Sequence, residues 1–534
     1  MGSSAPSYEL SSSAALCRDA STPLPGNAES IELITQNSDN TVIQNAGSST
    51  CLPIELLARI FEYCLPEDAY PAPSETQAPL LLAHTCSHWR AVALSTPFLW
   101  SRLHITYKDP SLDVLMTSNW LQRSGCLPLF ISVTIGFNER PAQELLDVIC
   151  HHSSRWKHIR FEFRGLYCPP MYSLALAKGN TPLLHAFEFD ARDISSVNIL
   201  PVISLLNLAP KLREVIWVDD LADMRQLMEL PLSQLTRLSV TMSHGTLDYL
   251  ELLNQCYNLE QIRITRPRPG DTRQPRAPLL LSKLTSLSIA YDLTAILDSL
   301  TLPALKHVRI HSEGPVSPSI GRYTGAGRNA NEAEADCLWS PVSFVSLVKR
   351  SSCSIESLSL DTYMAESCLI QCLEETTSSL TKLNVTGVTI TDKLISSLTY
   401  SPSVSLTSPS SSSSPHYAAS ARNSSSLCPL LQDICLNTRL MSTPGALVQM
   451  AESRLISSCN TQIPHFSLSI WDGHRDLESF KLLQGQSSSP FGSCNFNLDV
   501  LPPPRDAVSS MIVSSTRLRG KKHLGVKRRI CQSR

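Results

Sequence analysis

The stretch Leu380-Thr381-Lys382-Leu383-Asn384-Val385-Thr386-Gly387-Val388-Thr389-Ile390-Thr391-Asp392 places apolar residues at its first, fourth and sixth positions. Alternation at Leu383 and Val385 is the pattern of a short strand with one buried face. The same frame, apolar-x-x-apolar-x-apolar, recurs as Trp156-Ile159-Phe161, Leu184-Phe187-Phe189, Leu212-Val215-Trp217, Leu235-Leu238-Val240, Leu259-Ile262-Ile264, Leu284-Leu287-Ile289 and Leu305-Val308-Ile310. It resumes as Ile355-Leu358-Leu360, then the quoted stretch, then Leu431-Ile434-Leu436. Successive starts lie 28, 28, 23, 24, 25, 21, 50, 25 and 51 residues apart. The two long gaps are therefore two periods of roughly 25 residues, and a period that survives interruption marks an internal repeat.

Those gaps coincide with low-complexity inserts near 312–338 and 401–426, the first beginning SEGPVSPSIGRYTGAGRNANEAEAD and the second SPSVSLTSPSSSSSP. Helix-like stretches such as 221–230, 246–256 and 343–350 lie between frames. One strand plus one helix per ~25 residues resembles a degenerate leucine-rich repeat, whose units stack because none buries its apolar face alone. The Leu380–Asp392 unit is similar to the form that runs through Gly-Cys to Ile-Thr-Asp, with Val388 in place of Cys. The ninth-position Asn of that family is replaced by Asp220, Ser243, Pro267 and Asp292 in four other units. The rival is an ordinary α/β domain with short parallel strands, which shares the local patterns but not a steady period.

Ahead of the repeats, residues 1–48 are rich in Ser, Asn, Thr and Ala and read as a disordered arm. At Leu52-Pro53 the pattern changes. Pro53 suits the first turn of a helix, Glu55 favours its positive end, and Leu57, Ile60, Phe61 and Cys64 follow at helical spacing. The segment EDAYPAPSETQAP reads as a loop. A second helix is expected from about 80 to 94, with Leu82, Cys86, Trp89 and Ala93 on one face, stopped by Pro97 and followed by an apolar plug, Phe98-Leu99-Trp100.

Three elements in order, Leu52-Pro53-Ile54-Glu55-Leu56-Leu57-Ala58-Arg59-Ile60-Phe61, Cys86-Ser87-His88-Trp89-Arg90-Ala91-Val92-Ala93 and Thr96-Pro97-Phe98-Leu99-Trp100, resemble an F-box-like domain of the large families in mushroom-forming fungi. The resemblance implies a substrate receptor of an SCF-type cullin ubiquitin ligase. Residues Leu52, Pro53, Leu57, Ile60 and Trp89 would then contact an Skp-type adaptor, and the repeats would hold an unknown target protein. Core packing is the competing role for Ile60 and Trp89. The competing role for the whole module is a cap on the first repeat.

The expected fold class is α/β: a three-helix module at 49–104, a repeat solenoid at 105–500, and a basic flexible tail at 501–534. On the strands, residues between the apolar frame positions point away from the core. Arg160, Glu188, Ile216, Arg263, Arg309, Asp361 and Asn384 are the candidate target-binding residues, and three arginines among them suit acidic or phosphorylated segments.

Composition narrows the function classes. Net charge is -2, from 45 basic and 47 acidic residues, so no global field draws the chain to nucleic acid or an anionic membrane. No apolar run approaches the ~18 residues of a membrane span, and the first twenty residues lack a basic, then apolar, signal pattern. A cytoplasmic or nuclear location is expected. Pro6 stands where a myristoylation signal wants Ser or Thr. The 17 cysteines form no paired CxxC units and read as reduced. Cys150-His151-His152 is the densest ligand cluster, but adjacent side chains diverge, so no metal and no cofactor is expected. Phosphate-loop, dinucleotide, nucleophile-elbow and HExxH motifs are all missing, and no enzyme is expected. Ser401-Pro402, Ser408-Pro409 and Ser414-Pro415 are candidate phosphorylation sites or parts of a plain spacer, and the tail from Arg517 to Arg529 reads as a nuclear import signal, a nucleic-acid contact or a bare basic tail.

Overall fold

A computed structural model describes residues 52–66, 70–136, 142–164, 171–191, 199–219, 224–241, 246–265, 277–290, 296–311, 339, 341–400, 426–461, 465–471, 476–485 and 495–501. The expected arm at 1–48, the inserts at 312–338 and 401–425, the four ninth-position residues and the basic tail lie outside them. By internal contacts the chain divides into Met1–Pro53 and Ile54–Arg534. Of the first unit only Leu52 and Pro53 are described, both exposed.

The second unit opens with α1 (Ile54–Tyr63), α2 (Leu80–Ala83), α3 (Ser87–Leu94) and a 3-10 turn, Pro97–Trp100. Strands follow as β1 (Arg102–Tyr107), β2 (Leu129–Ile135), β3 (Trp156–Phe163), β4 (Ala186–Asp190), β5 (Glu214–Val218), β6 (Arg237–Thr241), β7 (Gln261–Thr265) and β8 (Leu279–Leu280). They continue as β9 (Ser286–Ala290), β10 (Leu300–Thr301), β11 (His307–His311), β12 (Ser357–Met364), β13 (Lys382–Val388), β14 (Asp433–Asn437), β15 (His465–Trp471) and β16 (Asn495–Leu501). Among the described residues fourteen of these form one sheet in chain order, with β8 and β10 paired separately. Every pair within the sheet is parallel.

All ten apolar frames fall on this sheet, from β3 to β14, and their fourth and sixth positions are buried throughout. In eight of the ten frames the backbone ties one unit to the next in the same way. The carbonyl of the frame's second residue accepts two N–H groups of the following unit: Arg213 takes those of Thr236 and Arg237, Thr236 those of Glu260 and Gln261, Glu260 those of Thr285 and Ser286, and Glu356 those of Thr381 and Lys382. Aromatic rungs stack at the N-terminal end, with Phe163 against Phe189 at 5.7 Å and Phe189 against Trp217 at 4.6 Å. Each buried side chain of this kind contributes about 1.5–3 kcal/mol relative to exposure.

The expected helix per unit holds only in part. Pro110–Arg123, Gln143–His151, Thr246–Asn254, Pro341–Ser351, Glu366–Thr376 and Ala446–Thr461 are substantial helices. The stretch at 221–230, however, holds only Met224–Leu227. Between β7 and β11 the described segments carry the short β8–β10 pair where a helix was expected.

Polar side chains bridge units where helix ends need partners. Glu366 accepts from the Thr391 N–H at 2.7 Å, the Thr391 hydroxyl at 2.7 Å and the Leu394 N–H at 3.3 Å, capping the helix Asp392–Leu398 of the next unit. Buried Arg454 donates to the carbonyls of Leu398 at 2.8 Å, Cys428 at 2.7 Å and Leu427 at 2.7 Å. Its burial pulls the guanidinium down to about 10. Leu427 N–H also meets the Ser397 carbonyl at 2.8 Å, so the chain rejoins the repeat beside the point where it left.

Gly387 has φ +77°, and a Cβ there would lie 3.0 Å from the Thr362 carbonyl oxygen of the preceding unit. Gly387→Ala is expected to lower stability by about 1 kcal/mol or more. Gly136→Ala, with nothing within 4 Å of the added carbon, is the matched control. Urea midpoints of the two variants give the comparison, and equal midpoints would contradict the strain.

Candidate functional site

Helix α1 buries one stripe and exposes another. Leu57 (4% exposed) and Phe61 (0%) lie on the inner side, one turn apart. Leu56 (54%), Ile60 (45%) and Tyr63 (77%) follow at i, i+4 and i+7 and face outward. Ile60 therefore does not join the inner face as its spacing suggested, and Cys64 is exposed as well. Leu57, named as a contact residue, is instead buried and packs the module. Trp89 is half-buried and meets Phe61 edge-on at 5.1 Å, holding α3 to α1.

The expected continuous helix at 80–94 is broken. His84 ends α2, and Cys86 takes an extended conformation whose sulfur accepts from the Trp89 N–H at 3.4 Å. Arg90 Nε donates to the freed Ala83 carbonyl at 2.9 Å. The break turns Cys86 from the expected inner face to an exposed cap. In the plug, Leu99 and Trp100 are fully buried while Phe98 stays exposed.

Beside this stripe, Arg59, Glu62, Tyr63, Leu65, Pro66, Phe98 and Arg102 line an open cleft of about 230 Å³. Arg59 and Glu62 form an exposed ion pair along the helix, and the Arg59 guanidinium lies 5.6 Å from the Tyr63 ring centre. The surface is thus an apolar strip with a charged margin. Residues 50–106 match the F-box-like family model. The chain carries an F-box-like domain over about a tenth of its length. A comparison with curated proteins finds no match.

The F-box-like domain shares one core with the sheet. The Trp100 ring meets Trp120 edge-on at 4.8 Å, its Nε1 donates to the Ala93 carbonyl at 2.8 Å, and Arg123 covers its other side at 4.6 Å. The Pro-rich loop also reaches the sheet: the Pro71 carbonyl accepts from the His104 N–H at 2.9 Å, and the Tyr70 hydroxyl lies 2.7 Å from His158 Nδ1. Burial pushes the Tyr70 phenol up to about 12.

On the open face of the sheet, six of the seven expected residues, Arg160, Glu188, Ile216, Arg263, Arg309 and Asn384, stand in one row across the strands. Asp361 is one step further along, level with His311 and Thr386, and Ser359 occupies the place in the row. Arg160 is engaged by Glu162 at 3.3 Å and by Glu188 at 3.7 Å, and Glu188 also holds His158 at 2.8 Å. That end of the face is a charge-compensated network.

Elsewhere, Cys150 is buried, its thiol pushed up to about 12 by desolvation, while His151 is exposed and His152 lies 3.3 Å from Arg155. The described residues contain no group of three metal-ligating side chains and no helix long and apolar enough to cross a membrane.

Inner and outer stripes make opposite forecasts. Leu57→Ala and Phe61→Ala are expected to cost about 2–5 kcal/mol. Leu56→Gln and Ile60→Gln should stay within about 0.5 kcal/mol. Chemical denaturation of the four variants measures this, and an Ile60→Gln loss comparable to that of Phe61→Ala would place Ile60 in the core.

Proposed function

We propose that this protein is the substrate-receptor subunit of an SCF-type cullin ubiquitin ligase, with the F-box-like domain holding an Skp-type adaptor and the repeats holding a target protein. The observation that carries the reading is the outward stripe Leu56, Ile60 and Tyr63 on the first helix of that domain. Three large apolar side chains in a row on so small a module mark a surface made to be covered. Ile54 and Phe98 are exposed in the same domain, and Leu52 and Pro53, exposed just ahead in the chain, are further candidates for adaptor contact.

The sheet is read here as a run of degenerate leucine-rich repeats, supported by its parallel chain-order strands and repeated backbone bridge. In this reading ubiquitin chemistry belongs to the partners, the protein itself is not an enzyme, and it works in the cytoplasm or nucleus.

A second reading has its own support. Trp100 against Trp120 and Tyr70 against His158 make the domain a cap on the first strands, as a non-ligase scaffold would need. Capping does not use the outward stripe, so the two readings separate there. Co-expression with an Skp-type adaptor is expected to yield a complex that Leu56→Glu/Ile60→Glu abolishes while the thermal transition of the free chain is unchanged. Wild-type protein that binds no such adaptor would leave only the scaffold.

A further inference from the structure

The two ends of the sheet differ. At β1 the outer edge is met by the Pro-rich loop, where the Pro71 carbonyl accepts the His104 N–H at 2.9 Å. At the other end β16 pairs only with β15 among the described residues. Its core-facing residues continue the buried rows, Phe496 beside Phe466, Leu498 beside Leu468 and Val500 beside Ile470. The three β15 residues are fully buried, whereas Phe496 is 8% exposed, Leu498 half-buried and Val500 46% exposed. Leu482, on the helix Leu477–Gly485 that packs beside β16, is exposed as well. Among the described residues the apolar layer of the repeats is thus open at this end.

Backbone groups are open there too. The N–H and C=O of one strand residue point to the same side, and those of the next residue point to the other. In this sheet the core-facing residues turn theirs toward the strand that follows: the Gln432 carbonyl, in phase with Ile434 and Leu436, accepts the Ser467 N–H at 2.8 Å. By the same register Phe496, Leu498 and Val500 turn theirs to the outer edge. Sheet edges are ordinarily guarded by lysine, proline or a bulge. The strand Asn495–Leu501 has none of these: its one charge is Asp499, and it pairs with β15 without a register shift.

We propose that β16 is a self-association strand, pairing antiparallel with β16 of a second copy of this chain. A two-fold axis normal to the sheet through Leu498 keeps both cores on one side, so the two open apolar layers join. The strand's own sequence fits that axis. Leu498 meets the partner's Leu498 and Phe496 meets the partner's Val500, so the three residues with outward backbone groups all fall in hydrogen-bonded pairs. Between them Asn497 meets the partner's Asp499, an amide donor opposite a carboxylate. Moving the axis to Asp499 would set two carboxylates face to face, which selects the register centred on Leu498. The dimer carries one F-box-like domain at each end of the strand order, whatever those domains bind, and does not rest on the ligase reading.

The test is sedimentation velocity of the full chain over about 0.1–100 μM, where a species of twice 58.8 kDa is expected. Val500→Pro removes an outward N–H while sparing the ladder to β15, and should weaken the dimer about tenfold or more. Asn497→Asp sets carboxylates opposite each other and should weaken it as well. Asn497→Asp/Asp499→Asn exchanges the pair across the axis and should restore the dimer, which a misfolded last unit would not do. Leu208→Lys, at a residue 52% exposed elsewhere on the repeats, should leave the dimer intact. A chain monomeric throughout the range, a dimer indifferent to Val500→Pro, or an exchange variant no better than Asn497→Asp would each overturn the proposal. A chain that dimerises only once residues 502–534 are removed would assign the edge to its own tail, and overturn it too. Adaptor binding by a monomer would sink this proposal and leave the ligase reading standing.

Discussion

Everything in the repeats depends on one backbone contact: the second carbonyl of a frame accepting two N–H groups from the unit that follows, as it does in eight of the ten frames. That contact sets neighbouring strands in the same register, so the fourth and sixth frame positions of every unit arrive in one apolar layer. Side-chain identity is then free to drift, provided each layer stays filled. Val215 and Trp217 beside Leu238 and Val240 illustrate the tolerance. A repeat held by its backbone keeps its period even where its consensus has decayed.

This explains why the strands could be read from sequence while their ends could not. The ten frames were legible because their first residue is apolar. β15 and β16 escaped because His465 and Asn495 stand there, although Leu468 and Leu498 keep the buried row in register. β2 escaped because a register shift after Leu129 shortens its frame by one residue. β1 does carry the frame, as Trp100-Leu103-Ile105, but the same tryptophan closes the helical module and the sequence pattern assigns it there. Trp100 serves both, through its contacts with Ala93 and with Trp120.

The candidate surfaces were legible to different depths. Period-two alternation located the open row on the sheet, except that Asp361 is one step off it. Spacing could not tell which arginines are already occupied, because Glu162 and Glu188 approach Arg160 from two strands that the sequence leaves far apart. On α1 the difficulty was different. Large apolar residues occur on both sides, so periodicity alone merges two stripes. Only the packing of Phe61 against Trp89 separates the inner one from Leu56, Ile60 and Tyr63. The missed residues, Leu56 and Tyr63, were visible as an i, i+7 pair, but apolar residues at that spacing are ordinarily core.

Arg454 has a consequence beyond its own unit. By gripping Leu398 on one side and Leu427 and Cys428 on the other, it makes the departure and return of the chain a single closed junction. What lies between residues 400 and 427 can therefore be lengthened, shortened or exchanged for a foreign domain with little effect on the stacking of the repeats. The guanidinium acts as a graft site, decoupling the history of the insert from that of the fold.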